Sequence, residues 1–360
     1  MVETTEEKSG RTHSIDLLRG IACASVVLFH YLSRAPRAGW MIDVPFRGFE
    51  PLAQYGYLGV HLFFMVSGYV IFLSAIGRSP RRFVASRVAR LYPALWVSAT
   101  LTMLLLVARN DSRFLVGWTE YLWNLTLIPQ YVGARYVDGA YWSLAVELQF
   151  YFFVWIALRT GWIKRVEWLL FAWLLLGVVD AIRPTYPAER WLIANWAGLF
   201  VIGATTFLIS VRGWSLARGA LLASAVVTSL WHAVHEANRL TPEWQGVGPN
   251  PSTAVMIVLA SAIAFVLCGT GRVRMRKSAL TTISGNLTYP VYLIHQFAGY
   301  ALYGILLERT RSPVISLVGT IVVAVATGAL IHYFVERPLG PVLRRIVSEP
   351  RTSTSGLQLP

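Results

Sequence analysis

Apolar residues along this chain come in long runs, without the one-sided spacing that a soluble helix shows. A helix needs roughly 20 mostly apolar residues to cross a bilayer. Ten runs approach that length: 14–34, 56–76, 88–109, 141–159, 166–182, 191–211, 218–234, 252–270, 286–306 and 315–336. The sixth and tenth are the cleanest, and the fifth is short, with Asp180 at its end. The segment 115–130 is apolar and aromatic but interrupted, which predicts an interfacial or re-entrant piece. The pattern predicts an all-α polytopic membrane protein with about ten transmembrane helices.

Positive charge supplies an orientation, because lysine and arginine accumulate on the cytoplasmic side. With the N-terminus inside, the inner connections hold 20 of the 32 lysines and arginines and the outer ones 11, Arg19 lying within the first span. Both termini are therefore expected in the cytoplasm. The expected organisation is an N-terminal tail over 1–13, a transmembrane unit over 14–340 and a C-terminal tail over 341–360. No soluble domain and no internal repeat is evident.

Composition agrees. The chain is 55% hydrophobic and 14% charged, where a soluble domain carries about a quarter charged residues. The net charge of +14 could mark a nucleic-acid binder, but basic connections between spans account for it, and no nucleic-acid partner is expected. The partners expected first are the lipid bilayer and its anionic headgroups. The two cysteines, Cys23 and Cys268, each lie in an apolar run and make neither a disulfide framework nor a metal cluster, so no metal is expected. The N-terminus is acidic and polar, unlike a cleavable signal peptide.

Ionisable side chains inside a span are costly, by roughly 2.5–3.5 kcal/mol on insertion scales, so each is a functional candidate. The spans hold Asp16, Arg19, His30, His61, Glu147, His295 and, nearer an end, His332 and Glu336. Arg19 and His30 are eleven residues apart on the first helix, about 20° from a whole number of turns and about 16 Å apart in rise. They should face one way, into a bundle interior or a water-filled cavity. Glu147 enters its span to a depth similar to that of His30. It could orient the imidazole as a base for a hydroxyl, or be neutralised by an arginine. His61 could line the same cavity, and His295 is either a cavity residue or a packing residue. Arg87 and Arg90 lie on neighbouring positions of one helix and can reach a single phosphate group. The small pair Ser67-Gly68 suits close helix packing. Outer aromatic residues, Trp118 and Trp142 among them, fit an interfacial belt or a sugar-stacking surface.

Several of these segments together resemble one family. Arg19 and His30, with Ile15-Asp16-Leu17-Leu18-Arg19-Gly20, resemble the opening signature of the membrane acyltransferase 3 family. LFFMVSGYVI at 62–71, RVARLYP at 87–93, YWSLAVELQFY at 141–151 and FVERPLG at 334–340 follow in the family's order, and Tyr289 to His295 is similar to its late span. The similarity runs over roughly 14–340. It implies an acyl-CoA donor, usually acetyl-CoA, bound from the cytoplasm as a substrate, with no permanently bound cofactor. It implies a hydroxyl acceptor on a cell-envelope polysaccharide, a lipid-linked oligosaccharide or a glycoside, and a bacterial plasma-membrane location. By resemblance Arg19 and His30 are essential, Arg87 and Arg90 meet the CoA phosphates, and Glu147 is the acidic position after Trp142-Ser143-Leu144. The expected cavity is lined by His61, Ser67, Trp142, Ser143 and His295, with the thioester near His30. At His61 many members carry an acidic residue instead. The extracellular hydrolase-like domain fused to some members is not expected here. A transporter using intramembrane His, Glu and Arg as a proton relay is the alternative.

Overall fold

A computed structural model describes residues 13–183, 185–243 and 248–348. Among them there are helices and connecting turns and no strand. The principal helices are α1 (His13–Phe29), α2 (Gly59–Ala75), α3 (Pro80–Arg109), α4 (Tyr141–Arg159), α5 (Val166–Ile182), α6 (Ala197–Arg212), α7 (Leu216–Glu243), α8 (Pro251–Gly269), α9 (Ala279–Ile294), α10 (Phe297–Thr310), α11 (Pro313–Ile331) and α12 (Arg337–Ser348).

Each of the ten expected runs is helical. Among the described residues eight stretches are long and apolar enough to cross a bilayer, or nine with α9 and α10 counted as one span bent by 75°, against the ten expected. The run expected over 166–182 is the 17-residue α5. Large apolar side chains stand on the outside of the bundle, as at Leu104 (58% exposed), Phe171 (52%) and Val322 (59%). That arrangement suits a lipid solvent.

The segment 115–130, expected as an interfacial or re-entrant piece, is a short helix (Trp118–Asn124) and a tight turn (Pro129–Val132), too brief to cross a bilayer. Where a C-terminal tail was expected over 341–360, α12 continues from α11 through a π-helical turn at His332–Glu336 as far as Ser348 and packs along α3. The expected tail segments 1–12 and 349–360 lie outside the described residues.

The bundle's tightest contact joins α2 to α6. A Cβ at Gly68 would lie 2.2 Å from the Phe200 carbonyl, and one at Gly203 would lie 2.0 Å from that of Met65. Without hydrophobic drive between helices in lipid, backbone proximity of this kind holds spans together.

α1 and α9 run side by side in the same direction. Arg19 Nη1 donates to the Gly285 carbonyl (3.3 Å), Cys23 Sγ meets the Thr288 carbonyl (3.7 Å), and His30 meets His295. The predicted common face of Arg19 and His30 is thus the face of α1 turned to α9.

Candidate active site

Between α1, α2, α3, α4 and α9 lies a cavity. Its lining follows helix periodicity. Phe63, Phe64, Ser67, Val70 and Ile71 present one face of α2, while Ser143, Glu147 and Tyr151 stand at i, i+4 and i+8 on α4. Arg87 and Arg90 come from α3 and Arg19 from α1. The cavity lies toward the end of the bundle where the arginine-rich turns collect, here called the basic end.

Three guanidiniums and one carboxylate make this cavity strongly cationic. Arg87 lies over the rings of Tyr151 (5.6 Å) and Phe83 (6.0 Å), and Arg90 over Tyr289 (5.9 Å). Arg19 is 3.6 Å from Asp16, one turn earlier on its own helix. Glu147 accepts from the Tyr151 hydroxyl (2.7 Å) and from Ser67 Oγ. Its carboxylate is therefore engaged inside the cavity, away from His30.

The imidazole of His30 is instead paired with His295, Nδ1 to Nε2 at 2.8 Å. His295 Nδ1 lies 2.7 Å from the Tyr292 carbonyl oxygen. A carbonyl only accepts, so His295 Nδ1 carries hydrogen. With a neutral His295, Nε2 is then an acceptor, and His30 Nδ1 must be the donor. This assignment follows from the partners, and it leaves the lone pair of His30 on Nε2. His30 is half-buried, whereas His295 is fully buried. A π-helical turn begins at His30 and runs to Arg34, a local irregularity that often marks functional positions.

The break between α9 and α10 holds His295 in place. Tyr31 OH donates to the His295 carbonyl (2.5 Å) and Tyr141 OH to that of Leu293 (3.1 Å). Asp138 accepts from the Phe297 amide with one oxygen and from the Ala140 amide with the other, each at 2.9 Å. The bonds to His295, Leu293 and Phe297 satisfy backbone groups at the bend, as membrane helices require. Gly299 makes room for the bend, since a Cβ there would lie 2.1 Å from the Tyr31 hydroxyl.

The cavity and the imidazole pair are neighbours rather than one space. Tyr292 lines the cavity, and its ring packs 5.2 Å from that of His295. Its hydroxyl is 2.7 Å from Ser143 Oγ. His30 is not among the cavity's lining residues, and Tyr292, which lines the cavity and packs on His295, stands between the two.

Among the other expected residues, Ser67 and Ser143 line the cavity and three residues do not. His61 is six positions before Ser67, about 120° around the helix. Its Nε2 lies 3.2 Å from Glu236 of α7, and its ring packs on Trp196. Trp142 occupies the face of α4 next to Ser143 and packs against Trp196 and Phe64. His295 sits past the cavity, against His30. His332 and Glu336 bond to each other at 2.7 Å.

Sequence reading passed over Asp138, Tyr31, Tyr151 and Tyr292. Tyr151 and Tyr292 left a signal, standing four after Glu147 and three before His295 on single helices. Asp138 and Tyr31 left none, because they act across the chain. Among the described residues no group of three or more His, Cys, Asp or Glu side chains converges as a metal site.

Residues 12–333 match the model of a family described as an acyltransferase domain. A Komagataeibacter xylinus protein named as a membrane-bound transacylase is 26% identical over 79% of this chain and 72% of its own. The exopolysaccharide production protein ExoZ of Rhizobium meliloti is 26% identical over 84% of this chain and 93% of its own. The peptidoglycan O-acetyltransferase OatA of Listeria monocytogenes is 24% identical over 74% of this chain and 40% of its own. No solved structure matches the chain.

Proposed function

The chain belongs to this acyltransferase family, and from that premise we propose that it moves an acyl group, acetyl in the first instance, from acyl-CoA to a sugar hydroxyl. The acceptor is a cell-envelope polysaccharide, a lipid-linked oligosaccharide or a glycoside, and the membrane is the bacterial plasma membrane. The names of the exopolysaccharide and peptidoglycan relatives support a glycan acceptor. The observation that carries the reading is a cationic cavity that reaches Tyr292, one helical turn before His295, whose imidazole accepts from His30 and leaves the lone pair of His30 on its outer nitrogen.

In this reading the basic end faces the cytoplasm. The CoA pyrophosphate lies against Arg87 and Arg90, and the pantetheine arm runs past Arg19 and Ser67. The thioester then reaches Ser143 and Tyr292. His30 Nε2 takes the proton of the acceptor hydroxyl as its oxygen attacks the thioester carbonyl. The C–O bond forms, the C–S bond breaks, and the departing CoA thiolate receives the proton from His30. His295, accepting from His30 Nδ1–H, keeps the lone pair on Nε2 and stabilises the imidazolium. Tyr292 and Ser143 must part for the thioester to meet His30, and the freed hydroxyls can then donate to the developing oxyanion. Glu147 holds Ser67 and Tyr151 and balances the arginines; it is not the partner of His30.

The test is transfer of labelled acetyl from acetyl-CoA to candidate glycans by the purified full chain. Label should appear in an O-ester. His30→Ala should lower the rate at least about 100-fold, within the range of general-base assistance. Arg87→Ala with Arg90→Ala should raise the donor KM. A His30→Ala protein that keeps more than a tenth of the rate removes His30 as the base, and an unchanged donor KM removes the arginine pair.

A further inference from the structure

Arg78, Arg82 and Arg344 converge on a second concavity at the basic end, walled by Ser86 and Ser348. Arg78 lies in the turn after α2, Arg82 in the first turn of α3, and Arg344 far along the chain on α12. Among the described residues none of the three guanidiniums makes a hydrogen bond or ion pair. Some other arginines of the protein are paired: Arg109 with Glu308, Arg113 with Asp111, Arg135 with Glu120 and Arg218 with Glu167. Membrane orientation asks for positive charge at this end but not for its convergence on one hollow. Three like charges around a concavity repel one another unless an anion sits between them. The N-terminus of the 30-residue α3 adds its own positive end to the same place.

This hollow adjoins the donor cavity. Ser86 lines the hollow, Arg87 lines the cavity, and Arg87 Nε donates to Ser86 Oγ at 3.1 Å. Arg82 and Arg87 are separated by about 7.5 Å of helix rise. CoA carries a phosphate monoester on its ribose, beside the adenosine end of the pyrophosphate. A donor whose pyrophosphate lies at Arg87 and Arg90 therefore brings that second phosphate toward the hollow.

We propose that Arg78, Arg82 and Arg344 form the subsite for the ribose 3′-phosphate of the CoA donor. The inference rests on the acyl-CoA reading above and deepens it. An acidic phospholipid headgroup offers the same phosphate chemistry, but the link through Ser86 and Arg87 favours the donor.

The experiment measures acetyl transfer by the full chain in phosphatidylcholine nanodiscs, with acetyl-CoA or 3′-dephospho-acetyl-CoA as donor. The wild type should show a KM about tenfold higher for the dephospho donor, as expected for loss of a charge-assisted contact. Arg344→Ala on α12 and Arg82→Ala on α3 should each shrink that gap to within twofold, by raising the KM for acetyl-CoA. Equal KM values in the wild type, or variants that raise both alike, overturn the subsite and leave the acyl-CoA reading standing. No transfer from either donor overturns that reading, and the subsite with it. Equal KM values together with a phosphatidylglycerol-dependent thermal stabilisation that Arg344→Ala abolishes reassign the hollow to a lipid headgroup. The wild-type donor comparison decides the question even if a variant fails to fold.

Discussion

His30 and His295 share a hydrogen bond of 2.8 Å that joins the end of α1 to the break between α9 and α10. The second nitrogen of His295 is committed to the Tyr292 carbonyl at 2.7 Å. Each link dictates the next. The carbonyl fixes the tautomer of His295, His295 fixes that of His30, and a lone pair is left pointing away from the pair.

His295 is a positioning residue in this scheme, since it reaches the reaction only through His30. His295→Ala should lower kcat about 10- to 100-fold, a part of the general-base contribution, while the KM for acetyl-CoA changes less than twofold. Steady-state kinetics on protein with an unaltered melting profile would check this. A matching rise in KM would show that the loss comes from the cavity instead.

Glu147 gives the opposite split. It sits among Arg19, Arg87 and Arg90 and holds Ser67 and Tyr151. Glu147→Gln keeps the shape but removes the balancing charge, so the donor KM should change several-fold and kcat less. A loss confined to kcat would return Glu147 to the role expected from sequence, beside the base.

Asp138 predicts a pH dependence of stability. Burial outweighs the two amide hydrogen bonds it accepts and pushes its carboxyl up to about 7. A carboxyl whose folded pKa exceeds its unfolded value, about 3.9, binds its proton more tightly when folded. Its contribution to stability is fully present below pH 4 and is lost as pH rises to 7. Thermal melting of wild type and Asp138→Asn between pH 4 and 7.5 should show a downward slope in the wild type and a flatter one in the variant. Parallel slopes would place the titration elsewhere.

Gly68 predicts a packing effect. Its missing side chain lets α2 approach α6 until a Cβ would lie 2.2 Å from a backbone oxygen that cannot swing away. Gly68→Ala should destabilise the protein by about 1–3 kcal/mol, as overpacking does. A substitution at Gly219, where a Cβ would meet nothing within 4 Å, is the control. Equal melting temperatures for the two variants would contradict the close contact.

Much of this protein follows from the chain itself. Ten apolar runs become helices because a span must satisfy its backbone internally and present a predominantly apolar surface to lipid. The eleven-residue step from Arg19 to His30 sets their common direction, because helix periodicity is local and independent of neighbours. The same arithmetic puts Ser143, Glu147 and Tyr151 on one face and swings His61 away from Ser67. What periodicity cannot say is which face meets which. The partner of His30 lies 265 positions away, and Glu147 turned to Ser67 and Tyr151 instead. The break at His295 exists because Tyr31, Tyr141 and Asp138 arrive from other segments to satisfy the backbone it frees, and no local pattern foretells that meeting. Tertiary packing alone set Tyr292 between the cavity and the imidazole pair and gathered Arg78, Arg82 and Arg344, since both depend on how far each helix slides and turns against its neighbours.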